Sequence, residues 1–200
     1  MQWNFVLNFL VVLAQSLQIS FNESHAAVTQ FSNSKKVQQE IGFSDHFTLQ
    51  GFIDAIDNIT RLLGRETDHI VGLNYSLNVM FQEANGMRRD YPKTLVFMTD
   101  GKCTTGICKT TDEKAELMLL KEKYRARNIK VVGIGVKERN SNAMKTIVDK
   151  ENYFTFDNFE DLYDPGLPLT LGLCNGMLLI RFRYISSPQN NNRSPDLFTK

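Results

Sequence analysis

The chain of 200 residues has few cysteines, few prolines and no excess of either charge. Its 3 cysteines are too few to form the disulfide framework of a small fold. With 5 prolines and 12 glycines, it is neither collagen-like nor of low complexity. The 23 basic and 22 acidic side chains leave a net charge of +1, which argues against a nucleic-acid-binding surface. Hydrophobic residues make up 42% of the chain, the usage of a soluble globular domain that is long enough for a full core.

An apolar stretch over residues 1–19 allows two interpretations. It is too short and too interrupted to span a bilayer, so no transmembrane segment is predicted there. Ala14-Gln15-Ser16 resembles a signal-peptidase site, but no Lys or Arg precedes the apolar run. The other interpretation is a core helix. Its apolar stripe would contain Trp3, Val6, Leu7, Leu10, Leu13, Ala14 and Leu17. Because Phe5, Phe9 and Val12 lie off the stripe, such a helix would be buried almost all round. Both interpretations stay open on the sequence alone.

Strand-like and helical patterns alternate along the rest of the chain. Strands are predicted at 26–31, 37–43, 94–98, 129–136 and 153–156, the first two forming a hairpin. Helices are predicted at 49–63, from 70 to about 85, at 112–127 and at 143–148, with a last one beginning at Phe159. This alternation predicts a doubly wound α/β domain, with a mostly parallel sheet and helices on both faces, over residues 1–175. Residues 176–200 are predicted to be a C-terminal extension, disordered from about residue 186.

Candidate site residues follow from the fold, because ligands of doubly wound sheets bind at the carboxyl ends of the strands. Asp100 follows the strand at 94–98, and Thr67 precedes a predicted helix. Taken singly, Asp100 is explained as a turn residue before a glycine and Thr67 as an N-cap. Gly133-Ile134-Gly135 is half of a dinucleotide-binding fingerprint, and packing explains it better. Serine-hydrolase, zinc-protease and Walker motifs are absent from the sequence.

The order of several short motifs resembles the von Willebrand factor type A domain over residues 4–174. The series is Val28 to Ser32, Phe52-x-x-Ala55-Ile56, Gly64-x-x-Thr67, Leu73-x-x-Ser76-Leu77, Thr99-Asp100-Gly101, Val131 to Val136, Tyr153 to Phe156 and Phe159 to Leu162. The resemblance implies an extracellular or secreted adhesion module that binds a protein of the matrix or cell surface and is not an enzyme. Two alternatives are a Rossmann-like nucleotide-binding enzyme and a metal-free interaction scaffold of the same fold.

The resemblance also implies a metal-ion-dependent adhesion site. In such a site Mg²⁺ or Mn²⁺ takes oxygen ligands and leaves one position for an acidic group of the partner. Thr67 and Asp100 match two of the family's metal ligands. The others belong to an Asp-x-Ser-x-Ser motif after the family's first strand, which is central in the sheet. Since this sequence lacks that motif, it is predicted to lack the central strand and to bind metal weakly or not at all.

Cysteines and glycosylation sequons complete the site predictions. Cys103 and Cys108 enclose four residues beside the candidate metal site and are predicted to form a small disulfide loop. Zinc binding is the alternative, but no finger-like spacing of Cys and His supports it. Cys174 is left without a predicted partner. Sequons begin at Asn22, Asn58, Asn74 and Asn192, and Asn58 is the best acceptor because it lies opposite its helix's apolar face.

Overall fold

The computed structural model describes residues 2–32, 37–63, 67–100, 104, 112–137, 142–163 and 177–183. Within these residues, the helices are α1 (Gln2–Gln15), α2 (Leu49–Asp57), α3 (His69–Tyr75), α4 (Asp112–Ala126) and α5 (Asn142–Ile147). The strands are β1 (His25–Phe31), β2 (Val37–Ile41), β3 (Lys93–Thr99), β4 (Ile129–Val136), β5 (Tyr153–Phe156) and β6 (Met177–Arg183). A π-helix over Ser76–Met80 continues α3, and 3₁₀ turns cover Glu83–Asn85, Lys150–Asn152 and Phe159–Tyr163.

The six strands form one sheet in the order β2-β1-β6-β3-β4-β5. β1 and β2 pair antiparallel as the predicted hairpin, and the other neighbouring strands pair parallel. β3 and β4 are apolar along almost their whole length because helices cover both of their faces. The predicted doubly wound α/β fold is confirmed.

The centre of the sheet is occupied by β6, which lies beyond the domain boundary predicted at residue 175. β6 pairs parallel with β1 on one side and with β3 on the other. Its residues Leu178, Leu179 and Ile180 are almost fully buried. The expectation of a sheet without a central strand is therefore corrected. The apolar pattern did not reveal this strand because Arg181 and Arg183 interrupt it.

Two hydrophobic cores cover the two faces of the sheet. α1, α2 and the 3₁₀ turn at Phe159–Tyr163 pack on one face, while α3, α4 and α5 pack on the other. In the structure α1 is a core helix, with Phe9, Leu10 and Leu13 completely buried. Phe9, which lies off the predicted stripe, is buried as well, as expected for a helix that is buried almost all round. Asn4 and Asn8 are exposed and lie on the solvent-facing side of the helix.

The helix predicted to run to residue 63 ends earlier, at Asp57. Thr48 caps its N-terminus as predicted, accepting a hydrogen bond from the Gly51 amide at 3.2 Å. After the helix, the buried side chain of Gln30 donates to the Thr60 carbonyl at 2.7 Å and accepts from the Leu62 amide at 2.9 Å. These bonds from a neighbouring strand satisfy backbone groups that would otherwise favour continuing the helix.

Gly133 in β4 is explained by close packing. A Cβ atom at this position would lie 2.8 Å from the Met144 Cε atom and 2.8 Å from the Val148 Cγ2 atom. The absence of a side chain lets α5 and the segment after it approach the sheet. The structure therefore supports packing, and not a dinucleotide fingerprint, as the reason for this glycine.

Candidate functional site

The candidate site lies at the carboxyl edge, which we define as the edge of the sheet where β1, β6, β3 and β4 end. The segment of Thr67 and Asp68 is bound to the segments that follow two of these strands. The Asp68 amide donates to the Ser32 carbonyl, just after β1, at 2.8 Å. The Thr67 amide donates to the Thr104 Oγ1 atom at 2.9 Å, and the Thr104 amide donates back to the Thr67 carbonyl at 3.0 Å. Thr104 belongs to the segment that follows β3, so these bonds connect the residue after β1 with that segment.

Thr67 and Asp100 both lie at this carboxyl edge. Thr67 is completely buried, and Asp100 is partly exposed directly after the buried Thr99. The interpretation of Thr67 as an N-cap is wrong, because the Asp68 carboxylate caps α3 and accepts from the Val71 amide at 3.1 Å. The geometry thus brings the two predicted metal ligands to one edge and assigns the capping role to the residue after Thr67.

An acidic pair at this edge was not predicted from the sequence. Asp68 is buried, and Glu113 lies in the first turn of α4. Burial raises the pKa of the Glu113 carboxyl, and the nearby Asp68 carboxylate raises it further. The Glu113 Oε1 atom is shielded from solvent and has no hydrogen-bond partner among the described residues. No local motif reveals this pair, because its members are far apart in the chain and meet only when α3 packs on α4.

We expect Glu113→Gln to stabilise the chain at neutral pH. Because the pKa of Glu113 is raised in the folded state, the folded chain holds this proton more tightly than the unfolded chain does. The free energy of unfolding therefore falls as the pH rises through the folded-state pKa. The substitution removes the repelled charge and should raise Tm by about 1 to 3 °C at pH 7, measured by circular dichroism.

This gain should shrink as the pH is lowered, because wild-type Glu113 then becomes protonated and neutral as well. Glu122→Gln is the control on the same helix, since the Glu122 carboxylate is exposed and pairs with Arg125 at 3.0 Å. It should leave Tm unchanged or slightly lower. A lower Tm for Glu113→Gln than for wild type at pH 7 would contradict the proposed repulsion.

No cluster of acidic, His and Cys side chains marks a metal site in the described part of the chain. A divalent ion takes about six oxygen ligands, and no group of three or more His, Cys, Asp and Glu side chains is placed to hold one among the described residues. Asp68 already serves as the cap of α3. In the parallel register of the sheet, the last residue of β6 pairs with Thr99 of β3.

The cysteines and the sequon asparagines were predicted to take part in disulfide formation and glycosylation. Cys103, Cys108, Cys174 and Asn192 lie outside the described residues, so the disulfide loop stays a prediction. Among the other sequons, Asn22 and Asn58 are exposed and Asn74 is half-buried. The Asn58 Nδ2 atom donates to the Asp54 carbonyl at 2.8 Å. The described helices include none with the length and apolar character needed to cross a membrane.

Known proteins resemble this chain in sequence over most of its length. Matrilin-4 of Mus musculus is 27% identical over 173 residues, which cover 83% of this chain and 26% of matrilin-4. The collagen alpha-1(XII) chain of Notophthalmus viridescens is 23% identical over 175 residues, covering 86% of this chain and 17% of that one. The chain therefore spans about a quarter of the first relative and less of the second.

A solved structure shows the same fold, and a family model shows the family of the chain. Proximal thread matrix protein 1 from the mussel byssus superposes with a TM-score of 0.72 at 22% identity, over 85% of this chain and 41% of that one. Another structure of that protein is described as having a zinc-occupied MIDAS motif, the metal-ion-dependent adhesion site. The family model described as "von Willebrand factor type A domain" matches residues 1–165. Since this match covers most of the chain, the protein belongs to the family of von Willebrand factor type A domains.

Proposed function

We propose that the chain is an extracellular interaction module that binds a protein of the matrix or cell surface at the carboxyl edge, and that it is not an enzyme. The observation that carries this proposal is the bonding of the Thr67 and Asp68 segment to Ser32, just after β1, and to Thr104, in the segment that follows β3. These bonds fix polar residues at the edge where doubly wound sheets bind ligands. Matrilin-4 and the collagen chain, as matrix proteins, support an extracellular setting.

The metal content of this edge is a separate part of the proposal. Thr67 and Asp100 form a partial metal-ion-dependent adhesion site, in which both would contribute oxygen ligands. The zinc-occupied site of the mussel protein supports divalent-ion binding in the family. In this chain, two such residues offer too few oxygens to offset the dehydration of Mg²⁺ or Mn²⁺. We therefore expect metal binding to be weak or absent.

Secretion and its modifications form the third part of the proposal. The chain is proposed to be secreted, with a disulfide between Cys103 and Cys108 and N-linked glycan at Asn58 or Asn22. The exposure of both asparagines supports the glycan. Peptide mapping of the secreted protein under non-reducing conditions tests these assignments together.

The binding edge is tested with a charge reversal and a matched control. Purified fibrillar collagen, fibronectin and laminin are passed over the immobilised chain by surface plasmon resonance. Asp100→Lys changes the charge just after β3, and Asp90→Lys makes the same change at an exposed position before β3, at the opposite edge. We expect a ligand that binds wild type and Asp90→Lys to lose at least tenfold in affinity for Asp100→Lys.

Equal binding of the ligand to wild type, Asp90→Lys and Asp100→Lys would show that the ligand uses another surface. An enzymatic function is tested in parallel by thermal shift with adenine and guanine nucleotides. Stabilisation by a nucleotide, without binding to any matrix protein, would contradict the proposal in favour of the Rossmann-like alternative.

A further inference from the structure

Two grooves meet at the amino edge, which we define as the edge of the sheet where β3 and β4 begin. The first residues of these strands, Lys93 and Ile129, pair with each other in the parallel register. One groove has a volume of about 380 Å³ and the other of about 390 Å³, and Asn128 and Ile129 line both of them. The two grooves therefore adjoin, and together they are called the basic groove. It lies at the opposite edge of the sheet from Asp100.

Positive charge is concentrated in the basic groove. Its cationic side chains are Lys121, Arg125 and Lys130 in one part and Arg89, Lys93 and Arg127 in the other. Asp149 is the single carboxylate among the described residues that line it. Glu83 and Glu122 pair with two of these cations from outside the lining, so six cations face three carboxylates. Since the whole chain has a net charge of only +1, its charge is unevenly distributed and favours an anionic ligand here.

The bonds of these cations leave much of the positive charge uncompensated. Lys121 and Arg125 share one oxygen of Asp149, at 2.9 Å and 2.8 Å. The Lys93 Nζ atom and the Arg127 Nη1 atom each donate to a backbone carbonyl at 2.7 Å. A carbonyl carries no net charge, so these bonds hold the two cations in place without cancelling their charge.

The groove offers little apolar surface to a ligand. Apart from the half-buried Met87, the large apolar residues that line it are buried, and they are Phe81, Tyr124, Ile129, Val131 and Ile147. Protein–protein interfaces depend on apolar and aromatic anchors, and single-stranded nucleic acid stacks on exposed aromatic rings. The described lining presents mainly charged and polar groups instead, and this composition favours a ligand that is anionic along its whole length.

We propose that the basic groove binds a sulfated polysaccharide of the extracellular matrix. Such a polymer carries sulfate and carboxylate groups along its length, and both groups accept hydrogen bonds from guanidinium and ammonium ions. Two adjoining grooves, each with three cations, fit an extended chain whose anionic groups recur. The inference rests on the extracellular setting of the proposed function, but it uses the opposite edge of the sheet from the proposed protein-binding surface.

Surface plasmon resonance of the full chain on immobilised heparin tests the inference. Binding by wild type should weaken steeply as the salt concentration rises, because cations that bind a polyanion release its counterions. Arg89→Gln/Arg125→Gln removes one cation from each part of the groove, and both side chains are more than half exposed, so the variant should fold. It should bind heparin at least about fivefold more weakly. Lys123→Gln/Lys137→Gln is the control, which removes two exposed cations outside the described lining and should bind almost as tightly as wild type.

The position of the bound polymer is measured on wild type, without any substitution. A heparin oligosaccharide should shift the backbone amide resonances of Asn128 and Ile129 in two-dimensional NMR and leave that of Asp100 unchanged. Shifts confined to Asp100 would contradict the inference, and so would a lack of heparin binding at physiological salt or equal weakening by the two double variants. A short DNA duplex that competes as effectively as heparin would also overturn it, in favour of a nucleic-acid surface. Because no protein ligand is used, failure of the proposed carboxyl-edge binding would leave these results unaffected.

Discussion

Ending the chain after residue 176 is expected to abolish its cooperative unfolding transition, whereas ending it after residue 187 is expected to preserve that transition. Without β6, the inner edges of β1 and β3 lose their pairing partners. Both cores also lose apolar side chains, since Leu178 and Ile180 lie in one core and Leu179 in the other. Burial of each such side chain is worth about 1.5 to 3 kcal/mol. The total is comparable to the whole stability of a domain, about 5 to 15 kcal/mol.

Thermal unfolding followed by circular dichroism distinguishes the two truncated chains. Leu179→Ala in the full chain provides a milder version of the same experiment. It removes a completely buried side chain and should lower the free energy of unfolding by about 2 to 5 kcal/mol. If the chain ending at residue 176 unfolded cooperatively with the Tm of the full chain, β6 would have no part in the stability of the domain.

Phe9→Ala is expected to be the most damaging single substitution in α1. The Phe9 ring is completely buried in the core formed by α1, α2 and one face of the sheet. Loss of a buried phenyl ring leaves a cavity and costs about 3 to 5 kcal/mol. Urea denaturation followed by tryptophan fluorescence measures the change, since Trp3, the single tryptophan, lies in the same helix.

The control for this substitution is Asn8→Ala, one position earlier on the exposed side of α1. It should change the free energy of unfolding by no more than about 0.5 kcal/mol. A negligible effect of Phe9→Ala would mean that α1 does not belong to the folded core, and the signal-peptide interpretation of residues 1–19 would then be favoured.

Sequence patterns predicted the fold where one local feature determines each element. The hairpin of β1 and β2, the almost wholly apolar β4 and the Thr48 cap of α2 were all predicted from neighbouring residues. Each of these depends on burial or on a hydrogen bond within a few positions. For the same reason, the alternation of strands and helices was sufficient to predict a doubly wound sheet.

Features that depend on distant residues were not predicted. α2 ends early because Gln30, in a strand far from it in sequence, binds the backbone at Thr60 and Leu62. Glu113 acquires its raised pKa only through burial and the proximity of Asp68. β6 was not predicted because its arginines interrupt the apolar pattern. Its burial depends on pairing with two strands much earlier in the chain. Thr67 and Asp100 were singled out from the sequence, and their role as metal ligands stays a prediction, whereas the neighbouring Asp68 and Glu113 were not singled out.

The position of β6 also determines when the sheet can be completed during synthesis. Val28 of β1 pairs with Ile180, about 150 residues later, so this ladder cannot form until almost the whole domain has left the ribosome. Until then, β1 and β3 each present an unpaired edge in the nascent chain, and such edges favour aggregation. We therefore expect productive folding of this domain to begin only after residue 183 has emerged. Its dependence on chaperones should be greatest in the interval before residue 183 emerges.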